Sequence, residues 1–286
     1  MKSTKSAPSR PSAVTNLNKP LPNILTVATY NILHGYHREL ILQSIRGLIK
    51  KGTDVICLQE TERPCVQPLN KLFGGPDFNA WKIHYAHAGR GGNLALAWDS
   101  SRLASKGFET VLLPTLPGAT LVQWLQGNTW PLQRAALAGT FSVDDKVLRI
   151  SSVQLAWEGG SRYRMRQLAF FRDALTRSAA FGDIIGGDFN TIAPSLFRRN
   201  QQAKVGRVLG PEYTSALPDL PWTCDLSYTA PEDWWYNAAK ILKPLGIKAR
   251  SRLDYLFARN LKVVSAEMLD WPGSDHRPLI GTFSHS

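Results

Sequence analysis

The sequence lacks any apolar run long enough to cross a bilayer as a helix. It also lacks the short apolar core and small-residue cleavage site of a secretory signal, so we expect a monomer that stays in the cytoplasm, with no transmembrane segment. Cysteine is scarce: Cys57, Cys65 and Cys224 are an odd set without metal-ligand spacing, which suits a reducing compartment better than a disulfide framework. Cys57 falls inside an apolar strand pattern and is expected as a buried free thiol. Residues 1–23 contain no acid and few large apolar groups, so they cannot bury enough surface to offset chain entropy and read as a disordered basic tail. No internal repeat is strong enough to define an array.

What is present is basic and globular. Of 286 residues, 34 are Lys or Arg and 22 are Asp or Glu. Only Lys2, Lys5, Arg10 and Lys19 of that excess lie in the tail, so the body itself favours anionic partners, whether nucleic acid, a phosphorylated metabolite or an acidic membrane surface. A hydrophobic content of 43% is enough for a sizeable core.

From Ile24 to Asn31 the chain reads as a strand buried on both faces, followed by a helix from Arg38 to Lys51 with Gly52 as its stop. Asp54 to Glu60 is a second buried strand ending in an acid. An irregular stretch rich in Gly and Pro follows; then Trp81–Ala86, Asn93–Trp98 and Phe108–Leu113 read as shorter antiparallel strands. Arg134–Phe141 and Lys146–Gln154 flank an Asp144-Asp145 turn. Ser161 to about Arg177 reads as a helix with Ser161 as cap and Tyr163, Leu168, Phe171 and Leu175 inward; it leads to Asp183-Ile184-Ile185 and Gly186-Gly187-Asp188-Phe189-Asn190. Strand, helix, acid-tipped strand has then occurred twice. A helix near Leu196–Val208 and strands at Arg252–Phe257, Leu261–Leu269 and Leu279–Phe283 complete the chain. The simplest fold is an α/β one, a four-layer α/β sandwich of two packed mixed β-sheets flanked by helices, formed by residues 24–286.

Asp188 and Asn190 stand two residues apart. If the strand continues through Asn190 its period of two points both at one place, and the glycines before them let a substrate approach the backbone; the alternative is an Asp-x-Asn turn leaving the core. Asn31, Glu60, Asp188, Asn190, Asp254, Asp275 and His276 all lie at or beside ends of expected core strands. Converged, they make a pocket of carboxylates and amides with one imidazole, which suits Mg²⁺, or Mn²⁺, better than Zn²⁺.

These residues carry a resemblance. Thr29-Tyr30-Asn31, Leu58-Gln59-Glu60, Arg134 opening a strand, Gly187-Asp188-Phe189-Asn190, Arg252 to Phe257 and Ser274-Asp275-His276-Arg277-Pro278 resemble, in order and spacing, the endonuclease/exonuclease/phosphatase superfamily. The resemblance implies a Mg²⁺-dependent phosphoester hydrolase. Glu60 would hold the metal with Asn31 nearby and Asp275 completing its neighbourhood. Asp188 would position or activate water, Asn190 would help fix water and phosphate, Asp254 would orient His276, and His276 would contact the scissile phosphate. Arg134 matches a phosphate-reaching position in the nuclease branch. The sequence departs at Val153-Gln154-Leu155, where many members have His for Gln154; an amide can donate to a phosphate but cannot exchange a proton. With a basic body, nucleic acid is the expected substrate. The alternatives are a phosphatase or phospholipase acting on a small or lipid phosphate, and a nucleic-acid-binding protein with a degenerate site.

Among the remaining charged and aromatic groups, His34, His37, His84 and His87 are expected at the surface or in structural hydrogen bonds, His34 being the one placed near Asn31. Arg162, Arg164, Arg166, Arg198, Arg199, Lys204 and Arg207 read as a solvated face, or else as a phosphate-tracking surface. Trp234, Trp235 and Tyr236 would pack an insert or stack on a base or lipid.

Overall fold

The structure is a computed structural model, and it describes residues 24–88, 93–116, 132–143, 146–177, 179–192, 198–225, 228 and 250–285. The N-terminal tail, the Asp144-Asp145 turn and the Trp234, Trp235 and Tyr236 cluster lie outside the described residues.

The first strand, β1 (Ile24–Asn31), is followed by helix α1 (Arg38–Lys50), β2 (Val55–Gln59), α2 (Arg63–Phe73), β3 (Trp81–Ala86), β4 (Leu94–Asp99) and β5 (Ala104–Leu112). The second half runs β6 (Ala135–Val143), β7 (Lys146–Gln154), α3 (Gly160–Leu175), β8 (Gly182–Asp188) and α4 (Arg198–Leu209). It closes with β9 (Tyr213–Ser215), β10 (Cys224–Asp225), β11 (Arg250–Ser251), β12 (Asp254–Arg259), β13 (Lys262–Met268) and β14 (Leu279–Ser284).

Two six-stranded sheets result, ordered β13-β14-β1-β2-β4-β3 and β5-β6-β7-β8-β12-β9, with β10 and β11 as a separate pair. Each sheet has one parallel pair at its centre, β1 with β2 and β7 with β8, and each pair is bridged by a helical crossover containing α1 or α3. The twice-read pattern of strand, helix and acid-tipped strand is therefore the core of both sheets.

Strand alternation builds the layers. Val27, Val55 and Cys57 face Leu137, Phe141, Ile150 and Ile184 across the gap between the sheets. The alternate residues Ala28, Tyr30, Ile56 and Leu58 pack on Ile41, Ile45 and Leu48 of α1 and on Leu69 and Phe73 of α2. On the other side Val153, Ile185 and Phe257 pack on Leu168 and Phe171 of α3 and on Val205 and Leu209 of α4. This is the expected four-layer sandwich.

Helix α2 occupies the stretch read as irregular. Pro64 stands in its first turn, where a missing N–H costs nothing, while Pro68 interrupts the interior and hides the spacing of Cys65, Leu69, Leu72 and Phe73, all buried. Ser161 is not the cap of α3: Gly159 holds that position at φ 78°, and the Ser161 hydroxyl meets Gln201 Oε1 at 2.9 Å. Just inside one end of the sandwich, the gap between the sheets carries a polar seam. Gln59 donates to Ser152 Oγ (2.9 Å) and Thr29 Oγ1 (3.1 Å), and the Ser152 hydroxyl donates to the Leu58 carbonyl (3.0 Å). These bonds pin the sheets together beneath the groups described next.

Candidate active site

The four central strands finish at the same end of the sandwich, and β12, antiparallel to β8, begins there. This places Asn31 at the end of β1, Glu60 one residue past β2, Gln154 at the end of β7 and Asp188 at the end of β8. Asp254 opens β12 directly opposite Asp188, and the turn leading to β14 supplies Asp275 and His276. Sequence separation of up to 245 residues is thus removed by topology alone.

Two amides tie the sheets together at this end. Asn31 Nδ2 donates to Glu60 Oε1 (3.0 Å) and to Asp188 Oδ2 (3.1 Å), while its Oδ1 accepts from the Leu33 N–H (3.0 Å). Gln154 Nε2 donates to Glu60 Oε1 at 2.9 Å, and its own Oε1 is buried without a hydrogen-bond partner. His34 Nε2 lies 3.2 Å from Glu60 Oε2, so among the four histidines expected at the surface or in structural hydrogen bonds this one touches the site. Burial would raise the Glu60 carboxyl, but His34, the Asn31 amide, His276 and Arg134 outweigh it and hold it below its ordinary value.

The strand stops at Asp188 and does not continue through Asn190. Asp188 Oδ1 accepts the Asn190 N–H (2.9 Å), an Asx turn, and Asn190 sits at φ 48°. The turn still brings both side chains together: Asn190 Nδ2 reaches Asp188 Oδ2 (3.2 Å) and the Leu155 carbonyl (2.8 Å). The preceding glycines are required by the protein's own packing. A side-chain carbon at Gly187 would fall 2.0 Å from the Val153 carbonyl oxygen, and one at Gly186 would meet Thr29 of the opposite sheet.

Asp254 Oδ2 and His276 Nδ1 are 2.8 Å apart, with both residues buried. Burial alone would lower the imidazole, but Asp254, and with it Cys224 and Asp275, raises it well above its ordinary value. Asp254 Oδ1 is buried without a partner. Asp275 is held up by burial, and its Oδ1 stands 3.9 Å from His276 Nε2. Asp188 is pushed up to about 7, first by burial and then by Asp254 and Glu60, with His276 opposing. Atoms of Asp188, Asp254 and His276 lie within 4.8 Å of one another.

Arg134, just before β6, is 4% exposed and places Nη2 3.4 Å from Glu158 Oε2. Arg164 departs from the solvated face expected of it: Arg162 and Arg166 are exposed, but Arg164 is 4% exposed. Its Nη1 donates to the Trp157 carbonyl (3.1 Å), its Nε is buried without a partner, and its charge couples to Asp188 and Glu158. Sequence reading missed Glu158, the bonds of Gln59 to Ser152 and Thr29, and the burial of Arg164. For Arg164 a signal existed, since it stands four and seven residues before Leu168 and Phe171 on the inward face of α3.

The sequence profile of the Endonuclease/Exonuclease/phosphatase family matches residues 28–276, and the chain belongs to that family. It is a hydrolase by that membership. No curated protein matches it by sequence. Solved structures share the fold at low identity. TDP2 of D. rerio, solved in complex with a single strand DNA product, is 17% identical with a TM-score of 0.65, over 91% of this chain and 99% of that one. Truncated TDP2 of Caenorhabditis elegans is 16% identical with a TM-score of 0.65, over 91% and 98%. An endonuclease/exonuclease/phosphatase protein of Bacteroides vulgatus is 13% identical with a TM-score of 0.66, over 92% and 99%.

Proposed function

We propose that the protein is a Mg²⁺-dependent phosphodiesterase acting on nucleic acid. The observation that carries this reading is one buried cluster in which Glu60, Asp188 and Asp275 converge on an imidazole already backed by its own carboxylate, Asp254. The donor set suits a hard divalent cation, because it is rich in carboxylate oxygen and two of its buried oxygens, Asp254 Oδ1 and Gln154 Oε1, lack a partner. Glu60 and Asp275 are the residues that would hold it, with Asn31 in the same neighbourhood setting the direction of Glu60 and Asp188. When bound, the cation supplies charge neutralisation at the phosphate.

The chain's own groups do the rest. Asp188, poised near 7, accepts a proton from the attacking water, and Asn190 keeps its two oxygens in place. His276, its pKa raised by Asp254, which also fixes Nδ1, presents Nε2 to the negative charge that develops on the phosphate. Gln154 and Arg134 are further phosphate donors, with Glu158 restraining the guanidinium. Nucleic acid as substrate is supported by the net charge of +12 and by the likeness to TDP2 of D. rerio, solved with a DNA product.

The test is Mg²⁺-dependent hydrolysis of single- and double-stranded DNA, RNA, an abasic duplex, an artificial phosphodiester and small and lipid phosphates. Asp188→Ala and EDTA serve as controls. Hydrolysis of a nucleic acid that both controls abolish is expected. Turnover of only the small or lipid phosphates would overturn the substrate assignment, and salt-sensitive nucleic-acid binding without any turnover would overturn the enzyme.

A further inference from the structure

Cys224 takes no part in the chemistry above, yet it lies against it. It pairs with His276 in an isolated antiparallel bridge flanked by two backbone bonds, Asp225 N–H to the Asp275 carbonyl (2.8 Å) and Arg277 N–H to the Thr223 carbonyl (2.7 Å). Bonds at the flanking residues define the closer type of antiparallel pair, in which opposed side chains rise side by side. The Cys224 sulfur, a ring nitrogen of His276 and a carboxylate oxygen of Asp275 accordingly lie within 4.8 Å of one another, all buried.

We propose that Cys224, His276 and Asp275 form a site for a thiophilic divalent ion, Zn²⁺ above all, and that its occupation inhibits the enzyme. Around a tetrahedral Zn²⁺, sulfur, nitrogen and oxygen ligands stand about 3.4–3.6 Å apart, so the 3.9 Å between His276 Nε2 and Asp275 Oδ1 needs only a few tenths of an ångström of closure. The imidazole is prepared for this: Asp254 holds Nδ1 at 2.8 Å, which leaves Nε2 as the ligating nitrogen and supplies the outer carboxylate that metal-bound histidines normally have. Thiolate and imidazole rank Zn²⁺ and Cd²⁺ far above Mg²⁺, whereas an all-oxygen set does not. As the sulfur–metal and nitrogen–metal bonds form, the thiol proton and the Nε2 proton of His276 leave to solvent, and with the imidazole neutral the two anionic ligands balance the ion's two charges. Burial keeps the Cys224 thiol up at about 12, so without a soft metal it stays protonated and inert. The sequence could not announce the site, because Cys224 and His276 are far apart in the chain and only the bridge makes them neighbours. Inhibition, though not binding, rests on the role of His276 proposed above.

The test uses the full chain, stripped of metal, titrated with Cd²⁺ in excess Mg²⁺ while the ultraviolet sulfur-to-cadmium charge-transfer band is followed. The parent protein should develop the band to saturation at one equivalent. Cys224→Ser, which retains Cys57 and Cys65, should not, and Cys224→Ala replaces it if a buried hydroxyl unfolds the site. In hydrolysis assays Zn²⁺ should inhibit the parent, and the Cys224 variant, with its Mg²⁺-dependent rate intact, should need about 10–100-fold more Zn²⁺. No band in the parent, or an equal band in the variant, overturns the site; an unchanged zinc response beside a lost band overturns the inhibition. A parent that forms the band but hydrolyses nothing refutes the proposed function and leaves the metal site standing.

Discussion

Gly187→Ala is the substitution that separates a glycine required by the protein from one required by a ligand. Gly187 pairs with Val153 between the two parallel strands at the centre of their sheet, at φ 158°, a region that side-chain-bearing residues rarely enter. The added carbon would stand 2.0 Å from the Val153 oxygen and 2.8 Å from the Val153 backbone carbon and nitrogen, where ordinary contact begins at 3.4 Å. The shortfall of about 1.4 Å is against backbone, so no rotamer relieves it and β7 and β8 must separate next to Gln154 and Asp188. Overpacking of this kind costs roughly 1–3 kcal/mol and the backbone conformation a further 1–3 kcal/mol, giving about 2–6 kcal/mol together. At roughly 2–4 °C per kcal/mol for chains approaching this length, Tm should fall by about 10 °C, with kcat falling as the acid is displaced. Gly186→Ala is the internal comparison: its new carbon meets side-chain atoms of Thr29 at 3.0 Å and Leu256 at 3.3 Å, contacts that can give, so its cost is about 1 kcal/mol. Thermal unfolding by circular dichroism with EDTA present, followed by steady-state kinetics, measures both. A Gly187→Ala protein with the parent's Tm and only a raised KM would refute the reasoning and restore the glycine to substrate approach.

Asp254→Asn should lower kcat by about 10²–10⁴-fold, because the imidazole loses the anion that fixes its tautomer. In metal-free protein the His276 pKa should drop, as followed by NMR of the ring. A raised histidine pKa gives stability that is present in full below about 6.5 and is lost as pH rises through the folded-state value, so this pH-dependent increment should shrink in the variant. Arg164→Met removes a cation coupled to Asp188 and should push that carboxyl above about 7, moving the acidic limb of the pH–rate profile upward; Arg164→Lys should restore most of it. A profile unchanged in Arg164→Met would refute the coupling. At the opposite end of β8, Asp183 accepts from Arg149 Nη2 (2.7 Å), Arg259 Nε (2.5 Å) and the Tyr213 hydroxyl (2.9 Å). Asp183→Asn leaves two buried or part-buried arginines without their anion and should cost about 3 kcal/mol in denaturant unfolding, with kcat retained at temperatures where the variant stays folded.

Much of this protein is determined by its sequence alone. The unbroken apolar run Val55 to Leu58, the helical period of Ile41, Ile45 and Leu48, and their repetition before Asp188 suffice for two strand-helix-strand units and hence two sheets, because burial forces each pattern onto one geometry. The polar tips were legible for the same reason: an acid or amide ending an apolar strand must lie at a sheet edge. Helix α2 was not legible, since Pro68 disguises its buried face; the Asx turn at Asp188 was legible only as one of two alternatives, because it joins two side chains that strand alternation would also have joined. Only tertiary structure decided that Gly187 answers to Val153 and that Cys224 stands opposite His276. Both depend on contacts between segments distant in the chain, and such contacts are set by strand register and by how the elements pack, relations that no local pattern of residues carries.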